Sequence, residues 1–337
     1  MNIGPKRCGV ALWSQIIKSD NSKMQAALMF GLTVALIAGV AYYVHSEVVS
    51  SSPDSGFLSS GKTPLWWVVD NSQVNGRQWL DFGNRSTRQP NEPYLALCLE
   101  RAKAVLSDQF DLQVLVGRDA VYRVLGSSED FCAKQRSIPP ALWLAWCRAT
   151  LLSRFGGLWM DGSVLVLPAA SSEKIKARLE GKPVLMFGTD AEENLASGAA
   201  AAGASAGWSA VAHHPMWSGL ERDLTALIDQ GPPSWSSVEA RRGLRTLWEK
   251  HCSGMTAVDR EVEVGRDPYG RRLELETLLG ATELGFPLEK EGMWLILPDG
   301  RDGLERASPW LWFTRLSREQ ILESKFVWAK LAGSERS

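Results

Sequence analysis

Continuous apolar runs and helical spacings alternate along the chain. "LWWVVD", Leu65 to Asp70, is unbroken and apolar until its final carboxylate. Such a run predicts a strand buried on both faces, with its ligand-facing residues at the C-terminal end. Glu92 to Leu106 places apolar residues at helical spacing, and Phe110 to Gly117 reads as a second strand. A helix follows over Ile138 to Phe155, opening with prolines where a first turn tolerates them. "GLWMDGSVLVL" (Gly157 to Leu167) and "KPVLMFGTD" (Lys182 to Asp190) are strand-like, and Gly207 to Ile228 reads as a strand turning into a helix at Pro215. This alternation predicts an α/β domain with a mostly parallel, Rossmann-type sheet flanked by helices. Further on, the pattern predicts a helix over Arg245–Ser253, a strand and turn over Gly292–Gly300, and one terminal helix over Ser317–Leu331.

The N-terminal segment follows a different pattern. Met24 to Val44 contains no charged residue. As a helix it would span about 30 Å, the thickness of a bilayer's hydrocarbon core. A buried core helix is the other reading of such a run. The preceding tail carries Lys6, Arg7, Lys18 and Lys23 against Asp20, whereas His45 and Glu47 follow the run, and Tyr42 and Tyr43 sit at its end. The positive-inside bias therefore predicts a cytosolic tail (1–23), a transmembrane anchor (24–44), a serine-rich stalk (45–63) and a globular domain (64–332) beyond the membrane. This is a type II layout. The catalytic domain would be lumenal or extracytoplasmic, in the Golgi if the cell is eukaryotic.

Composition narrows the partners. A formal charge of −1 over 337 residues argues against nucleic acid, which demands a concentrated basic surface. The five cysteines form no Cys-x-x-Cys pair. No G-x-S-x-G elbow, P-loop or G-x-G-x-x-G is present. Tryptophan is abundant at fifteen, with Trp66-Trp67, Trp143 and Trp146, and Trp310 and Trp312 close together. Indoles suit cores, membrane interfaces and sugar rings alike.

The candidate chemistry centres on "LLSRFGGLWMDGSVLVL", Leu151 to Leu167. In the helix before it, Arg148 shares a side with Leu144, Leu151, Leu152 and Phe155. A guanidinium in that setting requires an anion, either a carboxylate such as Asp161 or a ligand phosphate. Gly156-Gly157 is expected to end the helix in a left-handed cap. In an extended chain Asp161 and Ser163 project to one face, where with diphosphate oxygens they would suit Mg²⁺ or Mn²⁺. A structural Asp in a β-bulge is the alternative, and spacing alone favours it. Softer candidates are Asp70 at a strand end, Asp190 with Glu192 and Glu193, and Trp208, His213 and His214; for each a core or surface role is the alternative. Asn194 to Gly207 is low in complexity and reads equally as a lid or as a plain insertion.

"RATLLSRFGGLWMDGSV", Arg148 to Val164, resembles the capsular-polysaccharide-synthesis and sugar-binding DXD families of glycosyltransferases. The resemblance extends weakly over residues 64 to 225. It implies a GT-A fold that transfers sugar from a nucleotide-sugar donor to a glycan, lipid or protein acceptor, with retention of configuration. It gives Asp161 a role with the metal or donor sugar, puts Ser163 where the second acid would stand, and sets Arg148 on the donor phosphate. Asp70, Gly157, Trp208 and His214 would line the donor and acceptor sides, and Asp190 would act on the acceptor. Two departures stand out: Ala145 replaces an Asp frequent three residues before the Arg, and Ser163 replaces the second Asp. They motivate the alternative of a catalytically inactive, membrane-tethered glycan-binding or scaffold protein.

Overall fold

The computed structural model describes residues 61–70, 92–127, 137–167, 170–187, 206–231, 266–288 (apart from 272) and 308–334, with shorter stretches between 243 and 304. The predicted tail, anchor and most of the stalk lie outside the described residues, as does Asp190. Among the described residues no helix is long and apolar enough to cross a membrane.

The strands are β1 (Thr63–Val69), β2 (Phe110–Val116), β3 (Gly157–Asp161), β4 (Leu165–Val166), β5 (Val184–Phe187), β6 (Ala206–Ser209), β7 (Val258–Asp259) and β8 (Trp294–Leu295). The helices are α1 (Pro93–Leu106), α2 (Arg118–Leu125), α3 (Pro140–Phe155), α4 (Ser172–Leu179), α5 (Pro215–Asp229), α6 (Arg318–Glu323) and α7 (Val327–Gly333). Six strands form one sheet in the order β2-β1-β3-β6-β5-β7, and β4 pairs with β8 apart from it. β1 runs parallel to β2 and β3, and β5 parallel to β7, while β6 is antiparallel to both its neighbours. The α/β class and the mostly parallel sheet therefore hold, with one reversed strand that the pattern did not reveal.

β1 lies between β2 and β3, and its side-chain alternation divides the domain into layers. Leu65, Trp67 and Val69 enter the core beneath α1, joined by Tyr94, Cys98 and Trp328. Trp66 and Val68 enter the opposite core, built by α2, α3 and α5 through Tyr122, Trp143, Leu152 and Trp217. The alternation of β3 is the same, with Leu158 and Met160 on the first side and Trp159 on the second. Burial on both faces explains why these strands read as continuous apolar runs.

α3 is buried on nearly every side from Ala145 to Ser153, so Arg148 lies in a wholly enclosed helix and not in a single apolar stripe. Its end corrects the left-handed cap: Gly156 has φ 68° and ψ −157°, an extended mirror-image conformation open in practice to glycine alone. Gly157 follows at φ 94°, and a Cβ there would stand 2.3 Å from the Pro64 carbonyl oxygen. Two glycines are thus needed to bring β3 alongside β1.

Helices α2 and α4 were not anticipated. The first follows β2 after Gly117 alone, and the second is capped by the Ser171 hydroxyl. The single terminal helix predicted over Ser317–Leu331 is two. A capping box at Ser317 and Gln320 starts α6, and the break before α7 lets the Val327 amide donate to Ala281 while Phe326 inserts among Trp312 and Phe313.

Candidate functional site

Parallel pairing brings the C-terminal ends of β1, β2 and β3 to one edge. Val68 is level with Asp161, and Val69 with Val116. Asp70, Gly117-Arg118 and Asp161 therefore emerge together, where open α/β sheets bind ligands.

Asp161 is the last residue of β3 and is half-buried. Its Oδ1 accepts hydrogen bonds from the Ser163 amide (2.9 Å) and the Ser163 hydroxyl (2.8 Å). The chain turns here, with the Val164 amide donating to the Asp161 carbonyl at 3.0 Å. This local Asx-type turn replaces both the extended geometry and the β-bulge of the sequence reading. Gly162 donates to the Val68 carbonyl at 2.9 Å, and a Cβ on it would meet Val69 Cγ2 at 2.3 Å. The close approach expected at Gly162 is that of β1. Ser163 is 1% exposed and its hydroxyl is directed to Asp161, so the two oxygens assigned to a cation are bonded to each other.

Asp70 is held by Arg118. The guanidinium donates Nη2–H to Asp70 Oδ2 at 2.9 Å, Nε–H to Oδ1 at 3.3 Å, and Nη2–H also to the Ile138 carbonyl at 2.9 Å. It lies over the Trp143 ring, 5.1 Å from the centroid. Both partners are buried, so the bidentate geometry and the extra carbonyl are what make the pair tolerable.

Arg148 is 2% exposed. It stands nine residues before Gly157, about 12–14 Å along α3, while Asp161 stands about 13 Å up β3 from the same turn. The Cys147 thiol registers this setting. Burial pushes its pKa up and Asp70 adds to that, while Arg148 and Arg118 pull the other way. On α1, burial likewise pushes the Cys98 thiol up, reinforced by the charge of Asp161. Both thiols stay protonated and unreactive. Glu92, also buried, begins α1 at its positive end.

The structure thus gathers Asp70, Asp161 and Ser163 at one edge. Three other candidates sit elsewhere. Gly157 is at the far end of β3, packed on Pro64. Trp208 pairs with Leu158, about 10 Å down the strand from Asp161, and its indole donates to the Lys182 carbonyl at 2.9 Å. His214 caps α5, its Nδ1 accepting from the Met216 amide, and burial lowers its pKa. His213 takes φ 58° and donates its amide to the Ser153 carbonyl near the end of α3. Asp190, Glu192 and Glu193 lie outside the described residues. The connection that contains them leaves β5 at Phe187 and enters β6 at Ala206, which is level with Met160 beside Asp161. Strand β6 begins at Ala206, one residue before the strand predicted from Gly207, and takes the last two residues of the segment read as a lid or a plain insertion.

Arg118 was missed, although a charged residue directly after a buried strand is the signal that had marked Asp70. Among the described residues no three His, Cys, Asp or Glu side chains gather as a metal site. No protein-family model, curated protein or solved structure matches this chain.

Proposed function

We propose that the chain is a membrane-anchored, type II glycosyltransferase of GT-A architecture, transferring a sugar from a nucleotide-sugar to a glycan, lipid or protein acceptor with retention. One observation carries this reading: the Asp161 carboxylate is fixed by Ser163 at the C-terminal end of β3, the edge at which open α/β sheets bind ligands. A fixed carboxylate at that edge suits the sugar of a donor, and the guanidinium of Arg148 on α3 suits its diphosphate. Arg148 would stabilise the developing phosphate charge in a dry setting, where such stabilisation is largest. Asp161 would orient the donor sugar through a hydroxyl. Asp70, held in place by Arg118, would meet the nucleotide.

The donor set does not fit a cation held between Asp161 and Ser163, because the serine hydroxyl faces the carboxylate. Mn²⁺ or Mg²⁺ would rest on Asp161 and on phosphate oxygens of the donor, as a Lewis acid for the diphosphate. The same geometry favours the second reading, a non-catalytic glycan-binding or scaffold protein on this fold.

Donor hydrolysis by the full chain, over a panel of nucleotide-sugars, tests the proposal. The wild type is expected to turn over at least one donor, and Asp161→Ala to lose about 10²–10³-fold. Equal turnover by the two removes Asp161 from the mechanism. Calorimetry with the same donors separates the readings, since the scaffold alternative requires glycan binding without donor binding.

A further inference from the structure

Most of the described tryptophans fill cores. Trp66, Trp143, Trp159, Trp217 and Trp328 are among the largest fully buried side chains. Trp312 does the opposite and is 40% exposed. It is nonetheless held firmly. Its ring meets Phe313 edge-on at 6.3 Å and 87°, Phe326 at 5.8 Å and 75°, and Trp310 at a 54° tilt and 6.4 Å. These aromatic contacts fix the indole before any ligand arrives, so little conformational freedom is left to lose on binding.

Its location follows from α1. This helix links the parallel strands β1 and β2, so it returns against them and its first turn lies at the edge that carries Asp70 and Asp161. Tyr94, in that turn, packs on Phe313 at 5.3 Å. One turn further on, Cys98 senses the charge of Asp161. The cluster that holds Trp312 therefore packs against the end of α1 that lies at this edge of the sheet. Arg315, exposed, follows Trp312 by one tight turn, its amide donating to the Trp312 carbonyl at 3.0 Å.

We propose that Trp312 is a stacking platform for a sugar ring of the acceptor, which makes that acceptor a glycan. The apolar C–H face of a pyranose matches an indole face, and its hydroxyls would meet Arg315. This proposal rests on the glycosyltransferase reading, yet it is tested without turnover.

The full chain in detergent is titrated with maltotetraose, cellotetraose, chitotetraose and mannotetraose in the absence of donor, with binding followed by saturation-transfer NMR. At least one is expected to bind. Trp312→Ala is expected to weaken it tenfold or more and Trp312→Phe, which keeps an aromatic face and the edge contacts, by no more than about threefold. Leu322→Ala, an exposed apolar control, should change nothing. No binding to any of the four, equal binding by Trp312→Ala, or equal losses in Trp312→Ala and Leu322→Ala overturns the platform. A Trp312-dependent loss of binding to phosphatidylcholine–phosphatidylglycerol vesicles, with sugar binding intact, overturns it in favour of a membrane contact. Donor hydrolysis by the wild type separates the two proposals. Sugar binding through Trp312 without hydrolysis keeps the platform and removes the transferase. Hydrolysis with Trp312-independent sugar binding does the reverse.

Discussion

Gly157→Ala separates a strand-packing glycine from a ligand-contacting one. Gly157 has φ 94°, and an added Cβ would stand 2.3 Å from the Pro64 carbonyl oxygen and 2.7 Å from the Pro64 ring. An ordinary contact begins near 3.4 Å, so β1 and β3 would have to separate by about an ångström at the centre of the sheet. The backbone conformation costs an L-residue about 1–2 kcal/mol, and forcing a methyl into a packed region adds about 1–3 kcal/mol. The expected loss is about 2–5 kcal/mol. Gly126→Ala is the control: its φ is 63° with nothing within 4 Å of the added Cβ, so only the backbone cost of about 1 kcal/mol applies. Urea unfolding of the full chain, followed by tryptophan fluorescence, measures both. If Gly157→Ala is no less stable than Gly126→Ala yet loses donor turnover, the steric account is wrong and Gly157 touches the ligand.

Three further outcomes follow from the same geometry. Ser163→Ala removes one of the two described donors to Asp161 and should cost about 1.5–3 kcal/mol in urea unfolding, with donor turnover falling alongside; wild-type stability would mean that the turn does not need the hydroxyl. Asp70→Asn should destabilise by about 3–5 kcal/mol, whereas Asp70→Leu with Arg118→Met should recover most of that loss, since the pair is buried and costly to half-remove. Asp223 is held down from 3.8 to about 2 by Lys250 and His251, so its contribution to stability is complete above pH 4 and is lost as the pH falls toward 2; Asp223→Asn should flatten that limb of an acid-unfolding curve.

The main elements were legible because β1, β2 and β3 carry long apolar runs and α3 a strong proline start. The reversal of β6 was not, since four residues have the same period in either direction. Helices α2 and α4 are eight residues each and follow short turns, so their pattern spans barely two turns of helix. At the site, Asp161 and Asp70 were legible because each ends a buried apolar run, and parallel strands carry such ends to one edge. The hydrogen bond between Ser163 and Asp161 was not, because an extended reading sends both side chains outward side by side. Trp208, His214 and Gly157 were misplaced for one reason: each is near Asp161 in the pattern of motifs, but the antiparallel course of β6 and the length of β3 carry them to the other end of the sheet.

The reversed strand has a consequence for how such a domain can change. Phe187 and Ala206 are hydrogen-bonded neighbours, so the sheet itself holds together both ends of the connection between them. Lengthening a closed loop costs only about 0.6 kcal/mol per doubling. The segment can therefore be exchanged like a cassette, its sequence free to vary while β5 and β6 keep their register.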